Sequence, residues 1–194
     1  YGFDARFPGE LRFGDYMETG PATASGLVSG PPCWAAEWRD TTDVYPLLVF
    51  VNGNLVRQIQ FNALTTRGAT LTLRSSDGAF HDNGSGGARM VIARGDNGDI
   101  VVRDIANTAD AITGTIFRDK LASVSGALYG SAIPAGGTRW CGVSFVPYGS
   151  AITAAANWSS VTRVGWGTTD INRIVSVRGV PCVLKPEGIF MYNR

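Results

Sequence analysis

Lysine is almost missing from this chain of 194 residues: of 17 basic side chains only Lys120 and Lys185 are lysines, and the rest are arginines. Histidine is rarer still, with His81 alone. Three cysteines occur, Cys33, Cys141 and Cys182, with no Cys-x-x-Cys spacing. Each scarcity excludes something. One histidine rules out a multi-histidine zinc site and leaves a Ser-His-Asp relay a single possible base. An odd, scattered cysteine set argues against a disulfide framework or a thiolate zinc site; it predicts small, reduced core residues in a chain folded in a cytoplasm. No apolar run reaches the length of a membrane span, and the first residues show no signal-peptide pattern. A net charge of +1 supplies no field for nucleic acid or an anionic membrane. No phosphate-cradling Gly-x-Gly-x-x-Gly or Walker sequence appears in a usable context, so no cofactor is expected. The arginine excess fits either GC-rich coding or interfaces built on the guanidinium fork.

What is present is apolar residue in quantity, 44%, punctuated by 25 glycines and 9 prolines along the whole length. That is a folded globular chain with many turns. The stretch Arg89 to Asp104 sets the pattern. Met90–Ala93 and Ile100–Val102 flank Gly95-Asp96-Asn97-Gly98, which reads as a tight β-hairpin. Leu47–Val51 and Leu55–Phe61 around Asn52-Gly53-Asn54 predict a second. Thr70–Arg74 shows the cleanest alternation. Trp34 and Trp38 share a face of either a strand or a helix, with the prolines before them favouring an extended start. Ser75 to Ala88 reads as a long polar loop, as does Thr19 to Pro32. Ala111–Phe117, Arg139–Val146, Val161–Trp166, Arg173–Arg178, Pro181–Leu184 and Gly188–Tyr192 read as strands. Leu121, Val124 and Leu128 fall at helical spacing, so Asp119–Tyr129 predicts a short helix, weakened by Gly126. About a dozen short strands with turns between them predict an all-β fold: an antiparallel β-sandwich or barrel-like fold with long loops and at most one or two short helices. One domain over 1–194 is expected, two β-modules at 1–105 and 112–194 being the alternative. No repeat at a fixed period is visible, which argues against a propeller or solenoid.

Candidate chemistry is thin. His81, with Asp77 or Asp82, has the residue types of a general base, but no Gly-x-Ser-x-Gly elbow accompanies it; a polar turn residue is the plainer reading. Asp96, Asn97 and Asp99 have the oxygens of a calcium loop without its alternation or its distal glutamate, so no metal is expected. Arg94-Gly95-Asp96 matches an integrin tripeptide, yet the hairpin accounts for it. Asp15, Glu18, Glu37, Asp40 and Asp43 offer acids for glycoside hydrolysis, but nothing brings two of them together across a cleft. No catalytic residue is therefore expected. The aromatics are more suggestive. Trp158 and Trp166 have small or glycine neighbours and, with Tyr148, are the candidates for exposed rings that contact a glycan or another protein. Arg94, Asp96 and Arg103 are the candidates for a charged subunit contact. Arg94, Asp99, Arg103 and Asp104 are also placed to pair across strands.

The ends of the chain, Tyr1-Gly2-Phe3-Asp4-Ala5-Arg6 with Leu11-Arg12-Phe13, and Gly188-Ile189-Phe190-Met191-Tyr192, together with the glycine-rich β-character between them, resemble small accessory proteins of tailed-phage tail tips and baseplates. The resemblance implies a virion structural protein, assembled in the host cytoplasm with other tail proteins. It would work as a homo-oligomeric ring or trimer, without enzymatic activity. Three expectations follow. The first is a structural component acting through protein–protein assembly. The second is a carbohydrate- or receptor-binding β-sandwich that meets a host surface glycan. A hydrolase is the third.

Overall fold

A computed structural model describes residues 77–192 except 85–86, 95–97 and 105–109; before these it describes Trp34 and the backbone of six strands. The strands are β1 (Phe3–Asp4), β2 (Arg12–Phe13), β3 (Trp34–Trp38), β4 (Leu47–Asn52), β5 (Leu55–Gln60), β6 (Ala63–Thr66), β7 (Asp77–Asp82), β8 (Ala88–Ala93), β9 (Val101–Arg103), β10 (Leu121–Val124), β11 (Ala127–Ala132), β12 (Gly142–Val146), β13 (Thr162–Arg163), β14 (Arg173–Val177), β15 (Val180–Lys185) and β16 (Gly188–Met191). A 3-10 turn, Ala155–Asn157, lies between β12 and β13. All strand pairs are antiparallel. The chain is all-β, as its alternation predicted. Among the described residues no helix is long and apolar enough to cross a membrane.

Each sheet is a meander in chain order: β3-β4-β5-β6, β7-β8-β9, β10-β11-β12-β13 and β14-β15-β16, with β1-β2 as a separate pair. The first strands of successive sheets lie side by side, β3 touching β7, β7 along β10, and β10 along β14. They begin at Trp34, Asp77, Leu121 and Arg173, intervals of roughly 40 to 50 residues, which is the length of a propeller blade. This propeller-type order is what the missing sequence repeat had argued against. Blade stacking needs only apolar alternation on both faces of a sheet, and many residues satisfy that.

The sheet β10–β13 shows how the stack is held. Leu121, Leu128 and Val146 face one way, into a core with Ala79, Val91, Ala93 and Val102 of the preceding sheet and Ile100 just before β9. Val124, Ala127, Tyr129 and Val143 face the other way, into a core with Ile174 and Val183 of the following sheet. Both faces are buried, so neighbouring residues on one strand serve different cores.

That two-sidedness explains the largest correction. Leu121, Val124 and Leu128 do not line one helix face; the expected helix is the hairpin β10–β11. Ser125 and Gly126 sit at its turn with φ of 48° and 79°, the paired left-handed conformation of a tight hairpin. The polar stretch Ser75 to Ala88 is not one loop either. Asp77–Asp82 pairs with Ala88–Ala93. The register Ile92↔Val101 centres the hairpin between Asp96 and Asn97, where the sequence placed it, but the β8–β9 pairing ends at that pair and residues 95–97 lie outside the described residues. Asp99 and Ile100 turn instead to the segment before β10: Asp99 bridges to Phe117, and Ile100 N–H donates to the Ile116 carbonyl at 3.0 Å. Ala111–Phe117 therefore makes isolated bridges, with Asp99 and, through Thr113, Ala154, rather than a strand. The hairpin around Gly53 stands, with Asn52 opposite Leu55. Trp34–Trp38 is a strand. Thr70–Arg74 and Thr19–Pro32 lie outside the described residues.

Candidate functional site

The buried polar side chains come first, because a reactive site would be built from them. His81 belongs to β7 and is buried, not held in a polar turn. Its Nε2 donates to the Ser150 carbonyl at 3.0 Å, and its Nδ1 has no hydrogen-bond partner among the described residues. Burial lowers its pKa, against the Ser150 carbonyl and the Asp82 charge, which raise it. No carboxylate bonds the ring in this arrangement. Asp77 is spent on backbone: Oδ1 accepts from Gly78 N–H at 2.9 Å and Oδ2 from Leu121 N–H at 3.0 Å. Burial raises its pKa, while those two N–H groups and the charges of Arg173 and Lys120 pull it down. Asp77 thus joins the first residues of β7 and β10, and the pair His81 and Asp77 does not form a relay.

Arg118 is the polar group that sequence reasoning missed. It lies in the space that Gly130 and Ser144 leave thin on one face of β11 and β12. A Cβ on Gly130 would sit 2.6 Å from the Arg118 Cδ. The guanidinium donates to the Phe117 carbonyl at 2.6 Å and to Ser144 Oγ at 3.2 Å, and it stacks 4.1 Å over the Trp158 ring. Burial lowers its pKa to about 10, so it stays charged at neutral pH. Two small residues in register on neighbouring strands, Gly130↔Ser144, are the signal that a long side chain from elsewhere fills the gap.

The expected exposed aromatics divide. Trp158 is 8% exposed and donates from Nε1 to the Ile152 carbonyl at 3.0 Å. It is a core residue under Arg118 and is not available for stacking on a ligand, because its small neighbours let it turn inward. Trp166 is 88% exposed and Tyr148 62%. Trp166 meets Phe190 edge-on at 5.9 Å. Its loop is held by Lys185, whose buried ammonium donates to the carbonyls of Val164 at 2.9 Å and Gly167 at 3.3 Å, and pairs with Glu187 at 2.7 Å. Thr169 completes the clamp on Glu187. That ion pair holds the Glu187 carboxyl below its ordinary range. One of only two lysines is therefore used to fix the loop that presents Trp166.

The charged candidates fare unevenly. Arg103 is buried on β9 opposite Met90, so it offers no surface for a subunit contact, although β9 is the end strand of its sheet. Arg94 is half-buried, its guanidinium laid over Gly98. Asp99 bonds the Ile116 N–H at 2.6 Å instead of a cross-strand arginine. Asp96 and Asn97 lie outside the described residues, as do Cys33 and the side chains of Asp15, Glu18, Glu37, Asp40 and Asp43. Cys141 and Cys182 are free and buried. Among the described residues no three His, Cys, Asp or Glu side chains gather as a metal site would require.

The remaining feature is apolar and outward. Ile189 and Met191 of β16 are 73% and 68% exposed. β16 is the end strand of the last sheet, and Ile189 and Met191 lie on the face opposite Phe190, against which Trp166 packs. Val177, at the end of β14 in that same sheet, is also exposed.

No protein-family model matches the chain, and no curated protein does. Among solved structures it is similar to the computationally designed Ika4 protein. The TM-score is 0.54 at 10% identity, over 85% of this chain and 92% of that one. At this identity the likeness is one of fold alone.

Proposed function

We propose that the chain is a structural module that works through protein–protein assembly, as the phage-tail resemblance implies. Its setting would be a virion tail, built in the host cytoplasm with other tail proteins. One observation carries the assembly reading. Among the described residues, four of the five large apolar side chains that stand exposed, Trp166, Val177, Ile189 and Met191, belong to the last sheet or the loop against it. The buried polar groups Asp77, His81, Arg118 and Lys185 meanwhile each bond backbone carbonyls or N–H groups. Apolar surface concentrated on one element marks a contact with another macromolecule. Sedimentation of the purified chain, and its recovery in larger particles when co-expressed with its neighbours, tests this. A monodisperse monomer that enters no larger particle contradicts it.

A second reading, binding of a host surface glycan, is favoured by the exposed and rigidly held Trp166. An aromatic face on a fixed loop suits the apolar face of a sugar ring. Trp166→Ala should then lower glycan or cell-surface binding at least tenfold without changing the far-ultraviolet circular dichroism. Unchanged binding removes this reading.

A further inference from the structure

We infer that the outer face of the last sheet is covered by the first sheet of a second copy of this chain, so that two copies close one ring of sheets. The inference rests on the assembly reading above and gives it a surface, a partner and a stoichiometry. Strand parity divides β14–β16 into two faces. Ile174, Val183 and Phe190 lie in register and belong to the core shared with β10–β13. The opposite face holds the rows Val175↔Cys182↔Met191 and Arg173↔Leu184↔Ile189, with Val177 beside Val180 at the hairpin end. Arg173 is its one charged residue, and Val177, Ile189 and Met191 stand exposed on it. The two middle sheets differ in this respect. In β10–β13 both faces are buried in cores. In β7–β9, Val91 and Ala93 enter one core, and Met90 and Ile92 on the other face are equally buried. The last sheet thus has the apolar character of a sheet covered on both sides, and a neighbour on one side only.

The order of the stack names the occupant. Among the described residues, the extended contacts between sheets join each sheet to the next in the chain, with first strands side by side: β3 with β7, β7 with β10, β10 with β14. The sheet that continues this order after the last is a first sheet. The chain's own β3–β6 is engaged at β7, where Trp34 meets Phe80 at 5.4 Å, and it leaves Ile189 and Met191 exposed. A second copy brings another. By register, the face of β3–β6 opposite position 34 carries the rows Glu37↔Leu48↔Ile59↔Leu64 and Ala35↔Phe50↔Arg57, largely apolar positions. Continuing the order sets β3 of one copy beside β14 of the other, and these strands hold Glu37 and Arg173, of opposite charge. Closed propellers have typically about 4–8 blades. One chain supplies four stacked sheets, so two copies reach the upper bound and three would exceed it. The exposed apolar surface at Val177, Ile189 and Met191 is on the order of 350 Å², the size of the largest patch on a typical monomer. A ring of two forms the contact twice. With equal loss from each covering face, closure buries roughly 1,400 Å² in all, the size of a standard stable interface.

Sedimentation equilibrium tests the ring with one variant on each face. Met191→Lys charges the last sheet, and Leu48→Glu charges the first. Each alone should weaken self-association at least tenfold while keeping the circular dichroism of the wild type. Mixed in equal amounts, the two should associate at least tenfold more tightly than either alone. One contact of the mixed ring is then wild type, and the other joins the added Lys face to the added Glu face. Tyr148→Ala, on a ring that packs over Gly126 of the β10–β11 turn, leaves association unaltered. Self-association that survives either folded face variant overturns the ring. So does a mass that climbs past two chains, as an open stack would give. A wild-type chain that stays single alone yet enters larger particles also overturns it, giving the face to a different protein and leaving assembly standing. A chain that does neither removes both. Should the variants not fold, peroxide oxidation of the wild type decides. The Met191 thioether should oxidise at least fivefold more slowly in concentrated than in dilute samples; a rate independent of concentration overturns the ring.

Discussion

At the scale of single residues, the unexpected economy is in how the few buried charges are used. Arg118 replaces the apolar side chains that Gly130 and Ser144 lack, and its value divides between a stem that packs and a head that bonds Ser144 and the Phe117 carbonyl. Arg118→Ala opens a cavity, strips Trp158 of its cation and leaves two acceptors short, a loss of about 2–4 kcal/mol. Arg118→Met keeps the packing and abolishes the desolvation cost, so it should lose less than half as much. Urea unfolding of the two variants measures this; equal losses would mean that the charge, not the filling, matters. None of this was legible in the sequence, because a lone arginine before an Asp-Lys pair looks like surface. The exposure of Trp166 was legible from its glycine neighbours. The same logic failed for Trp158, since small neighbours permit a ring to turn either way and only the facing sheet decides which.

At the scale of elements, alternation and turn residues located most of the strands from β3 onward, and the false helix has a plain cause. Where a sheet is buried on both faces, apolar residues occur at odd spacings, and Leu121, Val124 and Leu128 imitate a helix. The Ser125-Gly126 pair was the available correction, as a tight-turn signal inside an apparent helix. His81 shows the converse error: flanking Asp82, Asn83 and Gly84 suggested a loop, but alternate residues Asp77, Ala79 and His81 are the buried face of β7. His81 fastens that strand to the segment 147–152, helped by Gly149 N–H on the Asp82 carbonyl at 3.0 Å and Ile152 N–H on Asn83 Oδ1 at 3.3 Å. Because burial lowers the His81 pKa below 6.5, the unfolded chain takes up its proton first as pH falls. The linkage therefore removes stability as pH drops below about 6.5, and the loss is complete below the folded value. Asp77, raised above 3.8, acts in the opposite sense. The urea midpoint should fall between about pH 7.5 and about pH 5.5, and His81→Asn should flatten that slope. An unchanged slope in the variant would place the sensitivity elsewhere.

At the scale of the whole molecule, the all-β class was legible, but the propeller-type succession of sheets was not. Its period of roughly 40 to 50 residues is carried by where sheets begin, not by recurring motifs, and unequal connections blur it. The exposed surface was half legible: Gly188–Tyr192 was recognisable as a strand, but the exposure of Ile189 and Met191 on it was not. The resulting account makes the last sheet the working surface of the molecule and leaves the interior to hold the sheets in order. Its most direct test is the mass of the purified chain in solution, measured by sedimentation equilibrium across a wide range of concentrations. The account predicts a mass that rises with concentration from that of one chain, 20.6 kDa, toward a multiple of it. A constant 20.6 kDa throughout, with no larger particle formed beside its neighbours, would contradict it.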